Sequence, residues 1–273
     1  MKNIDLTEKE IIYSTDERFN LIKELCHLSK NLYNASLYDV RQYYFETKLY
    51  RSWQSQRPIF TKNHNPDYYA LQSHLAGEVL MQVGRQFISF FNNKSTKKKR
   101  IPKYKDKNGF NVVTFPKITI SKQIKFDENK QLYTYTLCKK SYSLKIQSTK
   151  SNIKMVKFVY DEVNDLIKCF KIYEVEPPKL KKDNSRYFSI DPGLNNIVSI
   201  YNNIGIRPLL YNGRPIKSIN QYYNKTNAKL KSESPTNIKS SKRLKQLSFK
   251  RNNKIDYEMH KISTHIINEA VKN

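Results

Sequence analysis

Hydrophobic periodicity changes once along this chain, and that change most limits what the chain can fold into. Leu21, Leu25, Leu28 and Leu32 fall at i, i+4, i+7 and i+11, which is one face of a helix over residues 17–48. Asp16 stands where an N-cap is needed. Residues 51–66 carry two prolines and read as a loop. Leu75, Val79, Val83, Phe87 and Phe91 then line one side of a second helix, from Asp67 to about Asn92. From Phe110 to Leu180 the period falls to two. Candidate strands cover residues 111–115, 133–138, 144–147, 155–160 and 167–174, and the last two flank the turn-like stretch DEVND.

The charged, Pro-containing stretch EPPKLKKDNSR, residues 176–186, reads as a linker. After it come three short apolar runs, 187–190, 197–201 and 206–211. A helix follows near Pro215, and another runs from about Asn237 to the end. The expected fold class is α+β. Residues 1–180 hold a helical segment over 16–95 and a small β domain from 1–15 and 108–180. Residues 183–273 form a separate α/β domain.

Composition says what such a chain acts on. Lys plus Arg number 50 and Asp plus Glu 24, a formal net charge of +26. Self-repulsion on that scale opposes compactness unless a polyanion offsets it, and nucleic acid is the first candidate. Part of the excess has a plainer origin in the Lys, Asn, Ile and Tyr bias of an AT-rich coding sequence. No apolar run reaches 18 residues and the N-terminus lacks a signal-peptide core, so a cytoplasmic protein without membrane contact is expected. Cys26, Cys138 and Cys169 are far apart with no CxxC pair, which argues against a disulfide framework and a zinc site.

The candidate binding residues are cationic and aromatic. Lys97, Lys98, Lys99, Arg100, Lys103, Tyr104 and Lys105 crowd one loop, with Asp106 as its lone acid. Such a cluster neutralises phosphates and releases counterions, or is simply a solvated loop. Lys239, Arg243, Lys250, Lys254 and Lys261 share a stripe of the last helix, with Arg251 beside them. Leu244, Leu247, Ile255, Ile262 and Ile266 form a second stripe suited to packing. His260 and His265 lie about 140° apart on a helix, which suits one metal poorly. Asp191, in SIDPGL, has two readings. Locally, Asp-Pro-Gly starts a turn. Alternatively the carboxylate holds Mg²⁺, but that chemistry needs several acids, and neither Asp183 nor Glu269 is placed by spacing as its partner.

Three elements in order carry a family resemblance: Asp191-x-Gly193-x-x-Asn196, the block GRPIKSINQYYNK from Gly213 to Lys225, and His260-Lys-x-Ser263. Together they resemble TnpB-type (OrfB) proteins of bacterial insertion sequences, which are RNA-guided DNA endonucleases. LSKNLYNASLYDVRQYYFE and LQSHLAGEVLMQVGRQFISFF look like that family's helical recognition segment, and IPKYKDKNGFNVVTFP like its entry into a β-barrel-like wedge domain. The resemblance implies that residues 1–180 are a nucleic-acid-binding region and that residues 183–273 are an incomplete RNase H-like (RuvC-type) domain. It implies Asp191 as the first of three catalytic, Mg²⁺-binding acids, and guide RNA and double-stranded DNA as partners. It adds Arg214, Lys217, Asn220, Tyr223 and Lys225 as nucleic-acid-binding residues. The family's other two acids and its zinc ribbon have no counterpart here, so the chain reads as C-terminally truncated, binding nucleic acid without competent cleavage of its own. A nuclease-dead remnant or repressor-like module, and a non-functional gene fragment, are the alternatives. Guide sequence, adjacent DNA motif and oligomeric state stay open.

Overall fold

The structure is a computed structural model that describes residues 3–92, 100–177, 183–235 and 241–272. Its contacts divide the chain into two units, Met1–Pro178 and Lys179–Asn273. In the first unit strand β1 (Ile4–Tyr13) leads into helices α1 (Phe19–Thr47), α2 (Trp53–Lys62), α3 (Pro66–Tyr69) and α4 (Ser73–Asn92). Strands β2 (Val113–Pro116), β3 (Lys125–Asp127), β4 (Leu132–Leu137), β5 (Leu144–Ser148), β6 (Ile153–Asp161) and β7 (Leu166–Val175) follow.

These strands make two antiparallel sheets, ordered β1-β7-β6-β2 and β3-β4-β5. The first has open edges at β1 and β2, so among the described residues there is no closed barrel where a β-barrel-like domain was expected. An isolated bridge, Ile120 to Leu137, joins the segment after β2 to β4. A helix-on-sheet core does the work of closure. Leu25, Leu32 and Leu37 of α1 and Leu75, Leu80 and Phe87 of α4 are buried with Phe115, Val156 and Phe158 of the sheet.

Local chemistry explains where the elements depart from the simple pattern. The buried face of α1 centres on Ile22, Cys26, Ser29, Leu32, Tyr33 and Ser36, while Leu21 and Leu28 are half-buried. Ser29 and Ser36 interrupt the apolar stripe in sequence, yet each hydroxyl is satisfied inside, on the Val112 carbonyl and on Gln56, both at 2.8 Å. Asp16 does not cap α1. Its carboxylate accepts the Arg18 N–H at 2.9 Å and the Arg18 guanidinium, and the helix begins at Phe19. The stretch read as a loop is the helix α2. Ser52 caps it and Pro58 lies inside it, held there by burial of Gln56 and Phe60. The hairpin over DEVND is present, with Asp161 accepting the Val163 and Asn164 N–H groups.

One contact in this core makes a sign-changing prediction. A Cβ on Gly84 of α4 would lie 2.6 Å from the Tyr50 hydroxyl but 3.9 Å from the ring carbon that bears it. Gly84→Ala gains about 1 kcal/mol of helix propensity but meets an overpacking cost of about 1–3 kcal/mol. We expect net destabilisation in the wild type and net stabilisation of about 1 kcal/mol in a Tyr50→Phe background. Urea melts of the four proteins measure this, and the same sign in both backgrounds would refute it.

The second unit holds strands β8 (Phe188–Pro192), β9 (Asn196–Asn202) and β10 (Leu209–Asn212), then helices α5 (Arg214–Ser232) and α6 (Lys242–Lys272). The sheet is antiparallel, ordered β10-β9-β8, so β8 is an edge strand, where Pro192 is tolerated. Val198, Ile200 and Leu244 are this unit's buried apolar side chains among the described residues. Tyr201, Leu210, Met259, Ile267 and Val271 are exposed. No described helix is long and apolar enough to cross a membrane.

Candidate nucleic-acid interface

Asp191 lies within β8, paired with Ser199 of β9, and not in the turn that follows. Its side chain is exposed. The turn is shaped by glycine. A Cβ on Gly193 would come 2.8 Å from the Asn196 carbonyl oxygen, and the Gly193 N–H donates to the Ile197 carbonyl at 3.2 Å. Among the described residues no three His, Cys, Asp or Glu side chains could share a metal ion. A Mg²⁺ pair that hydrolyses a phosphodiester needs several carboxylates, so the residues described around Asp191 do not fit that group. His265 is occupied otherwise, its Nδ1 lying 2.5 Å from the Tyr211 hydroxyl.

The block after β10 grips the same turn from the other side. Gly213 donates its N–H to the Asn195 carbonyl at 2.8 Å, and a Cβ there would meet both the Leu194 and Asn195 carbonyl oxygens at 2.8 Å. Lys217 donates to the Asn195 side chain, and the Arg214 N–H donates to Asn212 Oδ1 at 2.8 Å. Asn220, Tyr223 and Arg251 interlock across α5 and α6. Arg251 Nε donates to Asn220 at 2.7 Å, its guanidinium lies 5.1 Å from the Tyr223 ring centre, and the Tyr223 hydroxyl meets Ser248 at 3.1 Å. Between these helices is a cleft of about 830 Å³, lined by Tyr222, Arg243, Lys250 and Lys254 among others. Arg214, Lys225, Arg243, Lys250, Lys254 and Lys261 are exposed. Lys239 lies outside the described residues, as do Lys97, Lys98 and Lys99.

The described half of the basic loop is a strap laid antiparallel along α1. Arg41 donates to the Pro102 carbonyl at 3.1 Å and Lys30 to the Lys107 carbonyl at 2.5 Å. Asn34 both donates to the Lys105 carbonyl and accepts its N–H, each at 2.9 Å. Arg100, Lys103 and Tyr104 are exposed on it. Lys105 lies 5.0 Å from the Tyr33 ring centre, and burial lowers its pKa.

Residues 171–273 match the family model OrfB_IS605, described as "Probable transposase". This C-terminal segment is similar to that family. No curated protein matches the chain. Among solved structures it is similar to one titled "Cryo-EM structure of the Cas12f1-sgRNA-target DNA complex". The TM-score is 0.48 at 11% identity, over 93% of this chain and 63% of that one.

Within the matched segment the geometry explains why Gly193, Gly213 and Lys217 stand where they do. All three shape or hold the β8–β9 turn next to Asp191. The strap's anchors lie outside that segment. Asn34, Tyr38, Arg41 and Phe45 recur at i, i+4, i+7 and i+11, the same spacing that marks the apolar face of α1. That polar and aromatic stripe was the available signal for a second working face of the helix.

Proposed function

We propose that this chain is a nucleic-acid-binding protein of the TnpB (OrfB) type, with guide RNA and double-stranded DNA as its partners. The observation that carries the reading is the OrfB_IS605 match over residues 171–273, in a chain of net charge +26. The exposed cations of the strap and of α6 supply phosphate contacts. Asp191 takes the position of the family's first metal-binding acid. One carboxylate does not assemble a hydrolytic Mg²⁺ site, so no cleavage step is assigned to the described residues.

The test pairs binding with cleavage. The purified chain, its RNA and labelled target DNA are combined with Mg²⁺. Retention of RNA and DNA with no cut product supports the reading, and Asp191→Ala should leave that retention unchanged. Cleavage abolished by Asp191→Ala would replace the binding reading with an enzymatic one. Cleavage indifferent to Asp191→Ala would remove the role given to this residue, and absence of any nucleic-acid binding would remove the reading itself.

A further inference from the structure

We propose that the outer face of α1, together with the strap over residues 100–107, is a stacking site for an unpaired nucleotide. The proposal rests on the nucleic-acid reading above and adds where and how a base is held. Tyr104 is 44% exposed and Phe45 is 43% exposed, and the Arg41 guanidinium lies 4.9 Å and 5.6 Å from the two ring centres. Tyr38, 58% exposed, lies one turn away on the same helical stripe. A flat guanidinium over two partly exposed rings makes a surface on which bases stack, with the cation adding to the attraction.

Two further observations separate this face from an ordinary aromatic surface. The first is preorganisation. Tyr104 sits between strap residues whose main chain is pinned to α1, at Pro102 by Arg41 and at Lys105 by both hydrogen bonds of Asn34. The ring's placement therefore costs little further ordering when a ligand arrives. The second is charge. Arg51 also stacks on a tyrosine, 4.3 Å from the Tyr43 ring centre, but its guanidinium is neutralised by Asp39 at 2.5 Å. Arg41 makes no ion pair among the described residues and is bound to a neutral carbonyl. Arg100 and Lys103, both exposed and in no ion pair among the described residues, add cations along the strap. Aromatic faces beside free cations suit a ligand carrying both bases and phosphates better than an apolar peptide. A base within a duplex offers no free face, so the occupant is a single strand.

The experiment uses the full chain and fluorescence anisotropy at one fixed salt concentration. Its ligands are an RNA and a DNA strand of mixed sequence, and an abasic strand of equal length. Tyr104→Ala, with Phe45→Ala as an independent second variant, should weaken binding of the base-bearing strands about tenfold, with the abasic strand unchanged. Tyr104→Phe keeps the ring and should bind as the wild type does. RNA and DNA responding alike supports stacking on the base itself. If strands bind but both alanine variants act equally on abasic and base-bearing strands, or on neither, the stacking site is overturned and phosphate binding stands. If no strand binds at all, the nucleic-acid reading fails with it.

Discussion

Raising NaCl from about 50 mM to about 200 mM should weaken nucleic-acid binding by this chain about a thousandfold. The size of the effect follows from counting cations that are free to meet phosphates. Arg100, Lys103 and Lys107 on the strap are exposed, as are Arg243, Lys250 and Lys254 on α6, and none is in an ion pair among the described residues. About six phosphate contacts give a slope near −5 in log affinity against log salt, and a fourfold salt change then costs about three decades. Anisotropy titrations at four or five salt concentrations measure the slope. A slope shallower than about −2 would mean that these side chains do not track a phosphate backbone. Affinity should depend on ionic strength far more than on any one residue, because no single exposed cation carries much of the energy.

The elements most legible in the sequence were those with long, uninterrupted periods. The β6–β7 hairpin was readable because apolar alternation brackets an acidic turn, and the turn's Asp161 does in the structure what Asp does in such turns. The strands around Asp191 were readable as short apolar runs, though β8 continues past Ile190 to take in Asp191 and Pro192. Legibility failed where tertiary packing outweighed a local rule. Pro58 is a helix breaker by its missing N–H, yet α2 passes through it because Gln56 and Phe60 are buried on either side. The β-barrel-like domain was expected from the family resemblance and not from the strand pattern. Nothing in alternation alone distinguishes a closed sheet from two open ones covered by helices.

The arrangement of the candidate site was not legible in the sequence. Charge excess pointed to nucleic acid, but could not say which cations are free and which are engaged. Asn220, Tyr223 and Arg251 prove to be joined to one another across two helices, and Lys217 to a turn. Arg41 carried no local mark beyond its place on a stripe, and its significance comes from Tyr104, 63 positions later in the chain. Sequence spacing reports neighbours on one helix, and contacts of such separation are outside its reach.

Lys171→Met should be the most destabilising of the substitutions considered, by about 3–5 kcal/mol for the first unit. Lys171 sits on β7, an interior strand of its sheet, with 3% of its side chain exposed, and it lies 3.0 Å from Glu8 and 2.8 Å from Glu10. Ser148 also donates to Glu8 at 2.6 Å, while Glu10 meets Arg18 at 2.7 Å. Removing the lysine leaves two adjacent, partly buried carboxylates facing each other's charge. Glu8→Gln in the same background should return part of the loss, since it removes one of them. The pH dependence has a definite sign. Burial pushes the Glu8 pKa up, but hydrogen bonds from Ser148 and Lys171 and the lysine's charge outweigh it, leaving a lowered value. Its stabilisation is therefore complete above the ordinary carboxylate pKa of about 4.3 and is lost as pH falls through the lowered folded value. Burial pushes Lys171 down, but Glu10 and then Glu8 outweigh it and raise the net value. Its stabilisation is complete below about pH 10.4 and is lost only as pH rises through the raised folded value. The contribution of this cluster should thus be flat between about pH 5 and pH 10 and fall in acid, and the acid limb should be shallower in Lys171→Met. Urea midpoints across that range read both effects. A variant within about 0.5 kcal/mol of wild type at pH 7 would show that this buried ion cluster is neutral to the fold.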